Sequence, residues 1–168
     1  MISTFIRIRV PVHNIDEANR KEWDLVILGG PTWSFQPSGP VLAMVDREKN
    51  RFFKGQQILP VISCRSYWRW HYRSLKNMLQ GSVLQIYRPI VFMHTIKEPW
   101  CTIGLFLKLA GKIPESGKTW FSRYYPKYGH TREQMKSAYV LGEQIGEQLH
   151  AGSDLDKIEF PVPIPINP

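Results

Sequence analysis

DLVILGGPTWSFQPSGPV, residues 24–41, is the stretch whose reading decides the fold. Its first seven residues are apolar on both faces and β-branched in the middle, the pattern of a parallel strand covered by helices on both sides. A loop dense in Pro, Gly and Ser follows. PVLAMVDREKN at 40–50 then reads as a short helix with Pro40 near its first turn.

The alternation recurs downstream. QQILPVISC at 56–64 is a second buried strand, in which Pro60 suggests a bulge or an edge. After the turn RSYW, residues 69–81 (RWHYRSLKNMLQG) form a helix closed by Gly81. Trp68, Tyr72, Leu75, Met78 and Leu79 recur there at helical spacing, and Arg69, Arg73 and Lys76 share its wet face. VLQIYRPIVFMHT at 83–95 is a third strand, interrupted by Pro89. Residues 130–150, HTREQMKSAYVLGEQIGEQLH, are the clearest helix, with Met135, Tyr139, Ile145 and Leu149 on or near one stripe. Upstream, TFIRIRV at 4–10 alternates Ile6, Ile8 and Val10 with Arg7 and Arg9, as an edge strand with one wet face does. The end, FPVPIPINP, is a proline-rich extended tail outside the core. One domain is expected over 1–152 and a tail over 153–168. The order predicts an α/β doubly wound parallel sheet. Sites are expected beyond the carboxyl ends of its strands, at Leu28–Phe35, Cys64–Trp68 and Met93–Trp100.

Composition bounds the rest. The 168 residues suffice for one compact domain with a proper core and are short for two. No run of about 18 apolar residues exists, so no conventional membrane span is expected. The start, MISTFIRIRVPV, has arginines inside its apolar stretch and no small-residue cleavage pattern, unlike a signal peptide. Cys64 and Cys101 lie far apart and form neither a disulfide framework nor a C-x-x-C pair. A cytoplasmic location is expected. The 22 Lys and Arg against 14 Asp and Glu give +8, which favours anionic partners without choosing among them. Six Trp and seven Tyr cluster largely at 67–72 and 120–128, where a flat ligand can stack or a core can pack.

Several motifs are false. GKIPESGKT at 111–119 looks like a phosphate-binding P-loop, but five residues separate Gly111 from Gly117 where four are required. No G-x-G-x-x-G is present. Cys64 ends a strand beside Arg65, which could lower its pKa, yet a small apolar residue closing a core strand is the stronger reading. His71 and His94 have no carboxylate paired with them in sequence and read as packing or hydrogen-bonding residues. Five scattered histidines at no ligand spacing argue against a metal site.

DLVILGGPTWSFQPSGPV resembles the third strand and following loop of flavodoxin-like proteins, and KGQQILPVISCRSYWRWHYRSLKNML their fourth strand and second ring-binding loop. The pairing of VILG-x-x-x-W with SCR-x-x-W, followed by GLFLKLAGK, is similar to a branch labelled dialkylresorcinol-condensing enzymes, built as flavodoxin-like oxidoreductases. The likeness covers roughly residues 23–112. It implies an FMN site, with Gly30, Pro31, Thr32, Trp33 and Ser34 on one side of the isoalloxazine ring and Cys64, Arg65, Ser66, Tyr67 and Trp68 on the other. Backbone N–H groups in tight turns can bond the ring's carbonyls and nitrogens, and Trp or Tyr faces can stack on it. Arg65 near the ring would favour an anionic reduced flavin.

The chain departs from that pattern at its start. The family's hydrophobic first strand and the Ser/Thr/Gly/Asn loop that wraps the FMN phosphate have no counterpart, and strand 4–10 looks like the family's second, edge strand. On the order 2-1-3-4-5, a missing strand would lie between 4–10 and 24–30. A reading frame beginning upstream is the favoured explanation. A degenerate relative and a strand supplied by a partner chain are the alternatives. The fold class is therefore a flavodoxin-like doubly wound sheet, N-terminally truncated or degenerate.

An FMN-dependent oxidoreductase, taking electrons from NAD(P)H and passing them to a quinone or similar aromatic acceptor, is the leading functional expectation, with a homo-oligomeric state. Trp100 or the aromatics at 120–128 would supply a stacking lid. A flavin-free interaction scaffold or inactive fragment is the alternative. Nucleic-acid binding through Arg65, Arg69, Arg73 and Lys76 with interleaved aromatics is disfavoured, because helical spacing buries several of those rings. WCTIGLFLKLAGK at 100–112 reads as a core helix, a lid over the ring or, more weakly, a membrane-surface segment.

Overall fold

The computed structural model describes residues 7–16, 21–93, 96, 99–112, 119–125, 130–153 and 155. In chain order they form β1 (Val26–Trp33), β2 (Gln36–Pro37), α1 (Gly39–Glu48), β3 (Gln57–Cys64), α2 (Trp68–Leu79), β4 (Gln85–Ile86), β5 (Ile90–Met93), α3 (Trp100–Leu109), a 3₁₀ turn (Trp120–Arg123) and α4 (Arg132–His150). The fold is α/β with a mostly parallel sheet. β3 is central, flanked by β1 on one side and by β4 and β5 on the other, all parallel to it. β2 folds back antiparallel on the end of β1, pairing Thr32 with Pro37 and Trp33 with Gln36.

β3 is central because both of its faces are apolar. Ile58 joins Leu28, Val41, Val45, Leu75 and Leu79 under α1 and α2. Leu59, one residue on, points the other way and joins Tyr87, Ile90, Leu141, Ile145 and Leu155 under α4. Toward the end of the strand, Ile62 and Cys64 pack with Val91 beneath Trp68 and Tyr72. Leu155, within the segment read as a tail, is thus a core residue.

Pro60 does not mark an edge. It is buried in the central strand, opposite Leu28. The irregularity lies on the neighbouring strand. Ile58 pairs with Ile86 and Val61 with Ile90, so three steps along β3 match four along its partner. The extra residue falls at Tyr87–Arg88–Pro89, a bulge set opposite Pro60, where neither proline can donate a ladder hydrogen bond.

Three further expectations are corrected. Residues 7–10 form no strand (4–6 lie outside the described residues). Arg7 is left-handed at φ 54°, and its guanidinium donates to Ser74 Oγ at 3.0 Å. Arg9 pairs with Asp46 at 2.5 Å, and the Val10 N–H donates to the Gly39 carbonyl at 3.3 Å. These partners lie on α1 and α2, so the segment crosses the helix layer and its arginines find acceptors there.

β1, read as covered on both faces, is covered on one. Val26 and Leu28 meet α1 and α2, whereas Ile27 on the opposite face stays 58 % exposed. α4, the helix on that side, packs over β3 and β5, and its cluster takes in Leu25, the residue before β1. The buried stripe of α4 matches the expected one at Ile145 and Leu149 and differs from it toward the start of the helix. Gln134, Leu141 and Ile145 face inward, while Met135 and Tyr139 face solvent. The proline-rich residues 160–168 lie outside the described residues.

Glycine positions give a paired test. A Cβ at Gly104 of α3 would fall on the Tyr125 ring, whereas one at Gly142 of α4 would meet nothing within 4 Å. Gly104→Ala is expected to destabilise by about 1–3 kcal/mol through overpacking. Gly142→Ala should stabilise by about 0.5–1 kcal/mol through helix propensity. Urea unfolding of both variants checks the opposite signs.

Candidate functional site

Parallel pairing sets Gly30 against Ile62 and Pro31 against Ser63, so β1 and β3 end side by side. The loops that leave them are neighbours as a result. Phe35 from the first packs edge-on against Tyr67 from the second, with centroids 4.6 Å apart and planes at 72°. Ser34, Phe35 and Tyr67 all adopt left-handed backbone, at φ 46°, 69° and 63°. Each such residue costs on the order of 1–2 kcal/mol, and strain of this kind concentrates where loop shape serves binding. Trp33, Phe35 and Tyr67 remain exposed, so aromatic surface is presented at the sheet's carboxyl edge.

Thr32 and His71 tie the strand end to α2. Thr32 Oγ1 and His71 Nδ1 share a hydrogen bond of 2.8 Å. His71 is 1 % exposed, and burial pushes its imidazole down to about 4, so it is neutral at physiological pH and holds position as a hydrogen-bonding residue. Close approach of α1 depends on Gly30, where a Cβ would come within 2.7 Å of Val41 Cγ2. Gln36 of β2 has a buried Oε1 with no hydrogen-bond partner among the described residues. Arg69, at the start of α2, lies 4.7 Å over the Trp68 ring.

Cys64 is no activated thiol. Burial raises it to about 11, outweighing the opposing hydrogen bond with the Trp68 backbone, because a thiolate in an apolar cluster loses its hydration. Its side chain packs with Ile62, Val91 and Trp68. The structure therefore brings the ten sequence-named residues into two adjacent strand ends but divides them by role. Gly30, Thr32, Cys64 and Trp68 support the walls, whereas Pro31, Trp33 and Tyr67 are open to solvent. Ser34, Arg65 and Ser66 are half-buried in the turns.

On the opposite face of β3, Ser63 Oγ lies 3.3 Å from His130 Nε2, and His130 Nδ1 lies 3.3 Å from Gln134 Oε1. Gln134 Nε2 donates to the Met93 carbonyl at 2.8 Å. The same Gln134 closes a capping box with Thr131 at the start of α4. This chain pins α4 over the ends of β3 and β5. Sequence reasoning missed it, although T-x-x-Q at 131–134 carries the capping-box signal. Gln36 was also missed as a site residue, and Phe35 fell within the expected strand end 28–35 without being named as a ring contact, since neither their contacts nor the left-handed turn is written in spacing.

At the third strand end, His94 lies outside the described residues, as do residues 113–118 of the false P-loop. Trp100 stacks on Tyr124 at 4.6 Å and meets Trp120 edge-on, so these expected lid aromatics pack on one another. Among the described residues, no group of three or more His, Cys, Asp or Glu is placed to hold a metal.

Burial of His71 sets a pH dependence. The unfolded chain takes up this proton near 6.5 and the folded chain only at about 4. Stability is therefore full above 6.5 and falls as pH drops through that window, by about 3 kcal/mol in total. His71→Gln is expected to flatten this slope, as read from urea unfolding across a pH series.

No family model, curated protein or solved structure matches the chain, and the geometry of the two loops carries the functional argument.

Proposed function

We propose that this protein is a flavodoxin-like, FMN-binding oxidoreductase that takes electrons from NAD(P)H and reduces a quinone or similar flat aromatic acceptor. One observation carries the reading: two left-handed turns close on each other through Phe35 and Tyr67 at the carboxyl ends of adjacent parallel strands. In open α/β sheets, ligands bind at that edge. The resemblance of residues 23–112 to flavodoxin-like proteins names the ligand.

The ring end fits the residues present. Trp33, Phe35 and Tyr67 offer apolar, π-rich surface for a flat heterocycle. Gln36 Oε1, lacking a partner among the described residues, is an acceptor for a ring N–H. Arg65, on the second turn, favours negative charge on a reduced ring. FMN, when bound, supplies the two-electron chemistry. The chain's part is to hold the ring, orient it and shield one face.

The phosphate end has no matching Ser- and Thr-rich loop among the described residues. Two missing charge-assisted hydrogen bonds, at roughly 1.5–3 kcal/mol each, weaken FMN by about 10²- to 10⁴-fold. Binding then rests on the ring. FMN and riboflavin should accordingly bind within a few-fold of each other, measured by quenching of flavin fluorescence. Trp33→Ala and Tyr67→Ala should each weaken both ligands by about 1 kcal/mol, several-fold in Kd. A flavin titration without any spectral change overturns the proposal. It selects the second reading, a flavin-free interaction scaffold, which the exposed Ile27 face of β1 favours.

A further inference from the structure

α3 carries an apolar stripe that the fold leaves in solvent. Ile103, Phe106 and Leu109 are 40, 61 and 57 % exposed. At about 100° per residue they fall, with Thr102 and Ala110, within a sector of roughly 120° centred on Phe106. The opposite side is anchored. Cys101 packs in a cluster with Ile96, Phe121 and Tyr125, and Gly104 lies against the Tyr125 ring. Trp120, 71 % exposed, and Tyr124 extend the surface through their contacts with Trp100. Large apolar side chains gathered in one patch on a small domain mark an interaction face.

Charge selects the partner. Residues 100–112 and 119–125 contribute Lys108, Lys112 and Arg123 and no carboxylate, while the connecting residues 113–118 add one charge of each sign. Lys108 lies on the anchored side of α3, its ammonium 5.7 Å from the Tyr125 ring centroid, so Lys112 and Arg123, both exposed, are the cations next to Leu109 and Tyr124 in the chain that an approaching surface meets. A second copy docking through the same face would set these cations against themselves. An anionic surface complements them, as does the overall charge of +8.

Length decides the mode. α3 has ten residues, about 15 Å at 1.5 Å per residue, half of a hydrocarbon core of about 30 Å. No helix among the described residues is long and apolar enough to cross a membrane. A Trp, Phe, Leu and Ile stripe bordered by Lys and Arg suits the zone between headgroups and acyl chains.

We propose that α3 and the turn at Trp120–Tyr124 form a membrane-docking face that seats on an anionic phospholipid bilayer, with Phe106 at its centre. The inference is independent of flavin binding. Co-sedimentation with phosphatidylcholine vesicles, with and without phosphatidylglycerol, tests it. The wild-type protein is expected to pellet with the anionic vesicles, less so at high salt and far less with phosphatidylcholine alone. Phe106→Ser with Leu109→Ser, both at exposed positions, should lower partitioning by about tenfold or more. Lys112→Glu with Arg123→Glu should abolish the preference for phosphatidylglycerol. Bromine-labelled lipid should quench tryptophan emission of the wild-type protein, and less so in Trp120→Phe, which gives a readout that needs no folded apolar variant. Wild-type protein left in the supernatant with anionic vesicles at low salt overturns the proposal. So does pelleting unchanged by the double serine variant, and so does a wild-type dimer that the variant dissociates without any vesicle binding.

Discussion

Parallel pairing of β1 with β3 is the constraint on which the rest of this structure depends. Six consecutive residue pairs, Val26–Ile58 through Pro31–Ser63, hold the two strands in one register. That register gives the buried sheet its width, because Leu28 and Ile58 fall on the same side and both reach α1 and α2. It also makes the two strands end together, so the turns that follow must meet. A slip of one residue would turn Leu28 to the open face and separate Phe35 from Tyr67. Core and candidate site are therefore two readings of one ladder.

How much of this was legible in the sequence follows from which forces are local. The apolar runs at 24–30 and 56–64 and the helices near 40–50, 69–81 and 130–150 could be read because periodicity and end signals lie within each segment. Gly81 and Thr131 mark their helix ends by their own chemistry. The arginine-bearing strand at 4–10 misled, since alternation of Ile and Arg says nothing about whether a sheet edge is available. Ser74 and Asp46, far along the chain, supply the acceptors that draw Arg7 and Arg9 onto the helices. The α4 stripe misled toward its start for a related reason. Met135 and Tyr139 are apolar at helical spacing, but the inward side is chosen by where Leu59 and Ile90 lie.

For the site, the sequence located two strand ends and most of the residues that line them. It could not assign roles. Cys64 and Trp68 differ from Tyr67 in nothing that spacing reveals, yet two point into a cluster and one into solvent. His71 looked like an isolated histidine, and its partner, Thr32, sits 39 positions away. The two aromatic clusters read at 67–72 and 120–128 gain their neighbours only in space, where Phe35 joins Tyr67 at the carboxyl ends of β1 and β3 and Trp100 joins Trp120 and Tyr124, whose rings pack on each other.

The bulge opposite Pro60 has a consequence for how this chain can change over generations. Ile86 faces α1 and α2, whereas Ile90, an even number of positions later, faces α4. Only the additional residue between them reverses the phase of the pleat. Val91 and Phe92 inherit the reversed phase, Val91 beneath Trp68 and Phe92 toward α4. The length of 87–89, and not the side chains it carries, sets this phase. Drift in side-chain type there leaves the phase intact, while loss of one codon would turn β5 inside out and expose both of its faces to the wrong neighbours.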